Sequence, residues 1–342
     1  MGNQLLNEHD RHRPARRPRR LRRSEVIRRM VRETRLTPDR LILPLFIVDG
    51  TDVVEPIEAI PGRRKMSIDR TIAECEDAME LGVKSFAIFP DTPSELKTAE
   101  AAEALNPGNI VCRAIVAMKR ELPEACVITD IALDPYSSLG HDGLVSEAGE
   151  ILNDETVEVL AEMAVLHAEA GADVVAPSDM MDGRVGAIRN ALDEKGFTNT
   201  LILAYTAKYA SALYGPFRTA LHSAPVEQAN VPRDKKTYQM DPANIREASI
   251  EMELDEAEGA DMLMVKPASW YLDVIAQLRA ESALPIAAYH VSGEFAMVKA
   301  AAARGWLDER ESMTEVLTSI ARAGADVILT YAALDFARWC RE

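Results

Sequence analysis

Apolar residues gather into eight short runs, spaced along the chain by longer stretches of helical periodicity. The runs are LILPLFIVD (41–49), SFAIFPD (85–91), CVITDIALD (126–134), ADVVAPSD (172–179), LILAYTAKY (201–209), DMLMVK (261–266), PIAAYHVSG (285–293) and ADVILTYAA (325–333). Each suits a buried parallel strand and is too short for a typical helix. Helical spacing is expected over 24–34, 72–82, 109–122, 155–171, 180–196, 242–259, 271–281, 294–305 and 309–324, and a small hairpin over 141–154. Three helix-to-strand joints carry the same Gly-Ala-Asp signature, at 171–173, 259–261 and 324–326. Strict alternation with repeated joints predicts a (β/α)₈ barrel over 36–342, preceded by an arm, 1–35. A doubly wound open sheet is the alternative, but no GxGxxG or GxxxxGK[ST] follows the first run. The polar stretch 214–238 has little regular pattern and is long for a plain connection, so it is expected to form an active-site lid.

Composition narrows the class. The 342 residues exceed the roughly 250 that one such barrel needs. No apolar run reaches the roughly 18 residues of a membrane span. The first residues lack the apolar core of a secretory signal. Cys75, Cys112, Cys126 and Cys340 are scattered without CxxC or finger spacing, which points to reduced thiols and a cytoplasmic protein. The net charge of −16 is uneven: residues 1–40 hold thirteen Arg against five Asp or Glu, so they carry +8 and the remainder −24. Such an arm suits nucleic acid, or an acidic neighbouring subunit, or a mitochondrial presequence interrupted by Glu8 and Asp10. The arginines run straight into a helical segment, which favours the subunit contact.

In a barrel, chemistry collects at the carboxyl ends of the strands. Lys208 and Lys266 close two consecutive runs. Adjacent strands lie about 4.8 Å apart, so the two amines can approach, depress each other's pKa and favour Schiff-base chemistry; the other reading pairs each lysine with a carboxylate. Asp130, Asp134 and Asp142, with His141 beside the last, follow the third run and suit a hard cation, a substrate amine or proton transfer. Ser178 and Asp179 end the fourth run, and Asp179 could simply cap the next helix. Arg218, Arg233, Lys235 and Lys236 offer positive charge to a carboxylate. Tyr289, Ser292 and Tyr331 offer hydroxyls to a second one.

The segments YTAKYASALYGPFR, KTYQMDPAN, GADMLMVKPASWYLD, YHVSGEFAM and APSDMMDGRVGAIR resemble the porphobilinogen synthase (5-aminolevulinate dehydratase) family, and the likeness runs from about residue 20 to the C-terminus. It implies condensation of two 5-aminolevulinate molecules to porphobilinogen with loss of two waters, in tetrapyrrole and heme biosynthesis. It implies a (β/α)₈ TIM barrel and a homo-octamer built from dimers that embrace through the arm. On this resemblance Lys266 forms a Schiff base with the first substrate, whose carboxylate Ser292 and Tyr331 hold. Lys208 forms the second, with Arg218 and Lys235 on that substrate's carboxylate. The family often has Arg where Lys235 stands. Phe89, Tyr214, Phe217 and Tyr289 line the pocket and Gln239 follows the lid. Asp130, with Asp134 or Asp142, would position an amine or move protons.

Zinc-using members carry three cysteines where this chain has Ala132, Asp134 and Asp142. The resemblance is therefore to the aspartate-rich branch, with no catalytic zinc and with an allosteric Mg²⁺ outside the active site on Glu251. Hard oxygen ligation suits Mg²⁺, which keeps most of its waters. Two rivals remain: another lysine-dependent barrel such as a class I aldolase, which needs only one such lysine, and a nucleic-acid-binding protein using the arm.

Overall fold

A computed structural model describes residues 16–342, and the chain divides into two units, Met1–Arg35 and Leu36–Glu342. The first part of the expected arm, residues 1–15, lies outside the described residues. Within the first unit, Ser24 accepts the Ile27 N–H and starts a helix, Glu25–Met30. Glu25 faces Arg28, Arg29 and Arg32, while Val26 and Met30 are exposed.

The second unit is the expected closed barrel. Its strands are β1 (Leu41–Ile47), β2 (Ser85–Pro90), β3 (Cys126–Ile131), β4 (Val174–Pro177), β5 (Leu201–Lys208), β6 (Met262–Lys266), β7 (Ile286–His290) and β8 (Val327–Thr330). All neighbours pair in parallel, and β8 pairs with β1 to close the ring. The strands read as nearly continuous apolar runs because packed side chains fill one face and helices cover the other. Every residue of β1, β4 and β7 is buried.

The Gly-Ala-Asp joints have a physical cause. Gly171, Gly259 and Gly324 take positive φ values of 107°, 99° and 132° where their helices end, a region that favours glycine. The alanines that follow are buried. Each aspartate then caps the first turn of the barrel floor: Asp173 accepts the Val127 N–H of β3 at 2.8 Å, Asp261 the Ile202 N–H of β5 at 2.7 Å, and Asp326 the Ile286 N–H of β7 at 2.9 Å.

Elements absent from the sequence reading are short. Val54–Pro56 and Arg64–Met66 form an antiparallel pair that extends the sheet beyond β1, and a helix, Ala333–Trp339, follows β8. The lid is more ordered than its pattern suggested, since it contains a helix, Gly215–Leu221. Lys97, on the loop after β2, caps that helix by donating to the carbonyls of Leu221 and His222 at 3.1 and 3.2 Å. His141 holds the far end. Its Nε2 donates to the Pro232 carbonyl at 2.8 Å, which leaves Nδ1 to accept from the Tyr238 hydroxyl at 3.1 Å.

Candidate active site

The two lysines stand side by side. Lys266 and Lys208 are Cα partners across the β6–β5 ladder, and both are buried. One pocket at the carboxyl ends of the strands brings together Lys208, Lys266, Asp134 and Asp142 with Arg218, Lys235 and Gln239 from the lid and its end. Tyr214, Phe217, Tyr289, Val291, Ser292 and Tyr331 complete its lining. Phe89 lies behind, edge-on to Phe217 at 5.2 Å between ring centres. Asp130 also sits off the lining, beside Ser178 and within the field of both lysines. Glu251 belongs to another region, on the helix Arg246–Glu258. Arg233 and Lys236 are not among the lining residues.

The amines differ in surroundings. Lys208 donates to Asp142 at 2.9 Å and to the Ser178 carbonyl. Asp142 is shared, accepting from Lys235 at 2.5 Å, and Lys235 also reaches Asp134 at 3.2 Å. Burial opposes the Asp142 charge, but the Lys208 and Lys235 ammoniums win and hold it well below the usual carboxylate range. Burial likewise opposes the charge on Lys235, and Asp134 and Asp142 outweigh it, raising its pKa.

Lys266 is instead walled by aromatic rings, with Nζ 4.5 Å from the Tyr289 ring centre, 5.0 Å from Tyr205, 5.2 Å from Tyr214 and 5.5 Å from Phe217. Burial, and then the Lys208 charge, push its amine down to about 7 against the pull of Asp130 and Asp142. A lysine near that value supplies an appreciable fraction of neutral amine at neutral pH. Asp130 moves the other way. Burial and the Asp134 charge raise it to about 6 against the pull of both lysines, a value suited to proton transfer.

The hydroxyls sit opposite. Tyr289 and Tyr331 are hydrogen-bonded at 3.0 Å, and Tyr331 stacks on Phe46. Ser292 Oγ accepts the Phe217 N–H at 3.1 Å, and Tyr214 donates to the carbonyls of Tyr209 and Lys266 at 2.7 and 3.1 Å. The lid helix thus starts directly on the backbone that carries Lys266. Asp179 is not a helix cap: the helix Arg184–Glu194 begins after Gly183. It accepts the Met181 N–H at 2.7 Å and lies 3.6 Å from the buried Arg184, which also faces Asp255.

Two groups escaped the sequence reading. Tyr205 is three residues before Lys208, so simple alternation places the two on opposite faces. The ladder pairs Leu263 with Ala204 and Val265 with Ala207, so Tyr205 and Thr206 share one partner position, and this bulge turns Tyr205 toward Lys266. Glu294 read as an ordinary first-turn helix residue; its reach across two loops depends on the fold.

A closed parallel barrel with two buried amines, paired carboxylates and a hydroxyl wall at its carboxyl face defines a (β/α)₈-barrel enzyme. The family model for delta-aminolevulinic acid dehydratase matches residues 15–339. The chain belongs to the delta-aminolevulinic acid dehydratase family. It is 55% identical over 327 residues to the chloroplastic delta-aminolevulinic acid dehydratase of Chlamydomonas reinhardtii, covering 94% of this chain and 84% of that one. It is 53% identical over 317 residues to the enzyme of Bradyrhizobium diazoefficiens, covering 93% and 88%. The crystal structure of the Toxoplasma gondii enzyme, in complex with the reaction product porphobilinogen, superposes with a TM-score of 0.92 at 51% identity, covering 95% of this chain and 91% of that one.

One expectation is overturned. The cytoplasmic placement does not stand, because algal and plant relatives of this chain are named chloroplastic. Reduced cysteines report a reducing environment, which more than one compartment provides, so they do not select the cytosol. Among the described residues no helix is long and apolar enough to cross a membrane.

Proposed function

We infer that the chain condenses two molecules of 5-aminolevulinate into porphobilinogen, the porphobilinogen synthase reaction, with release of two waters. The observation that carries this reading is the in-register lysine pair, one amine ion-paired and the other walled by aromatic rings, in a chain of this family along nearly its whole length. Each substrate ketone condenses with one lysine amine, releasing one water and leaving an iminium that acidifies the adjacent carbon. Carbon–carbon bond formation joins one substrate to the iminium carbon of the other. Attack of a substrate amine on the remaining iminium forms the carbon–nitrogen bond. Both lysines leave as free amines, so the waters lost at imine formation are the whole net loss. Ser292 and Tyr331 are assigned to the carboxylate of the substrate on Lys266, and Arg218 and Lys235 to that of the substrate on Lys208. Asp130, Asp134 and Asp142 handle amine and proton. Incubation with 5-aminolevulinate, scored for pyrrole formation, tests the reading. Absence of pyrrole from folded protein, with and without added Mg²⁺, would overturn it.

The donor set does not fit a zinc centre, so no step passes through one. The Ala132 side chain offers no ligand atom, none of the positions 132, 134 and 142 carries a thiol, and Asp142 is committed to two ammoniums. For Mg²⁺, Glu251 lies in the field of Asp255, Asp182 and Glu247, with Arg184 as counter-charge, and burial pushes its carboxyl up to about 7. Among the described residues no group of three or more His, Cys, Asp or Glu could hold an ion alone. A cation on Glu251 would therefore keep most of its waters, and there it would relieve carboxylate repulsion away from the active site. The same proposal extends to assembly: the basic arm, with exposed Val26 and Met30, docks on an acidic neighbour and builds the homo-octamer.

A further inference from the structure

Glu294 is buried, and its carboxylate accepts three backbone N–H groups from two different loops. Oε2 takes Val291 at 2.7 Å and Ala268 at 3.4 Å, and Oε1 takes Ser269 at 2.5 Å. The Val291 bond alone would be half of a helix-capping box, and valine has no side-chain acceptor to complete it. The other two bonds go beyond capping. Ala268 and Ser269 follow Lys266 by two and three residues, after its cis bond to Pro267, and Val291 precedes Ser292. One carboxylate therefore ties the carboxyl end of β6 to that of β7.

The same turn also meets the lid. Ser292 Oγ accepts from Phe217 N–H, and a Cβ on Gly293 would lie 2.5 Å from the Leu213 carbonyl oxygen, so only glycine permits that approach. Ser292, Gly293 and Glu294 thus join three segments: the loop after Lys266, the start of the helix after β7, and the lid.

We propose that Glu294 is a positioning residue that fixes the Lys266 amine relative to Ser292, and hence the ketone of the first substrate relative to its carboxylate. This rests on the assignment of Lys266 as a Schiff-base lysine. Glutamine has the same shape but one acceptor oxygen, and its NH₂ group would face a backbone N–H, so one of the two loops is released. Misplacement on the scale of an ångström costs about 100-fold in rate. Glu294→Gln should therefore cut borohydride-trapped 5-aminolevulinate on Lys266 by roughly 10- to 100-fold while adducts on Lys208 persist near the unmodified level. Undiminished trapping on Lys266, or an equal loss at both lysines, would overturn the proposal. Should the variant fail to fold, hydrogen exchange of the unmodified protein decides: the amides of Ala268, Ser269 and Val291 should be protected, and exchange as fast as open loops would overturn it. An unmodified protein that traps nothing on Lys266 sinks the Schiff-base assignment instead, and the exchange measurement still reports on the clasp.

Discussion

Lys208 and Lys266 face each other across adjacent parallel strands, yet among the described residues only Lys208 of the two has a carboxylate partner, Asp142 at 2.9 Å. Under the proposed mechanism the asymmetry would divide the chemistry. Lys266, its amine depressed by burial and by its neighbour's charge, would attack first, and Lys208 would have to leave Asp142 before attacking.

The amine of Lys266 loses its proton as pH rises through about 7, far below the roughly 10.4 of a free lysine. Adduct formation on Lys266 should therefore climb across that pH. Lys208→Met removes the second cause of the depression and leaves burial, the first. The midpoint should move to higher pH, read as the rate of borohydride-trapped adduct against pH. A midpoint unmoved by the substitution would show that the amines do not sense each other.

Asp142 is the shared counter-ion of two buried ammoniums. Asp142→Asn leaves Lys208 without a carboxylate and Lys235 with Asp134 only. Breaking a buried pair in this way costs about 3–5 kcal/mol, measurable by urea unfolding. Asp134→Asn should cost less, since Lys235 keeps Asp142 at 2.5 Å. The sign with pH follows from the depressed Asp142 pKa. Its contribution is full above the unfolded value of about 3.9 and is lost as pH falls through the lower folded value. Equal losses for the two variants would refute the bridging role.

The barrel was legible because its strands are buried on both faces and so leave uniform apolar runs between amphipathic helices. The joints were legible as a motif, and the structure explains why glycine and aspartate recur there. The lysines and hydroxyls were legible as reactive groups near strand ends, where a barrel gathers its chemistry, although alternation sends some strand-end groups, such as Asp179, away from the pocket. What stayed hidden depends on relations absent from local sequence. Tyr205 reaches Lys266 through a bulge that breaks period-two alternation. Glu294 matters because loops 25 residues apart converge on it. The lid helix is only seven residues long, too short to leave a periodic signal.

Lid seating offers a separate test. Gly140 has φ of +71°, and a Cβ there would come within 2.1 Å of the Ala224 carbonyl oxygen. Gly140→Ala should displace the segment 222–226 and loosen Lys97's hold on the helix that carries Arg218. The expected result is weaker substrate binding, seen as a raised KM, with barrel melting changed little. An unchanged KM would remove this contact from the account of lid seating.

Mg²⁺ should act at Glu251 and not among the lysines. Glu251→Ala should abolish stimulation by added Mg²⁺ while a basal rate survives, and a chelator should bring the unmodified enzyme to that same basal rate. Stimulation that persists in the variant places the ion elsewhere. Complete loss of activity would instead assign Glu251 a structural part in the acidic neighbourhood around Arg184.

Deleting the arm should separate assembly from chemistry. Its arginines oppose a strongly acidic remainder of the chain, so an arm laid against the acidic body of another copy is attracted locally, and that attraction weakens with salt. Deleting residues 1–23 should reduce the oligomer while the barrel melts as before, read by light scattering and circular dichroism. An octamer that survives the deletion would refute the arm's role. If the arm served nucleic acid instead, the intact chain would bind duplex DNA with an affinity falling steeply with salt, and the deletion would abolish that binding. A protein that shrinks on deletion and ignores DNA at every salt concentration assigns the arm to self-assembly.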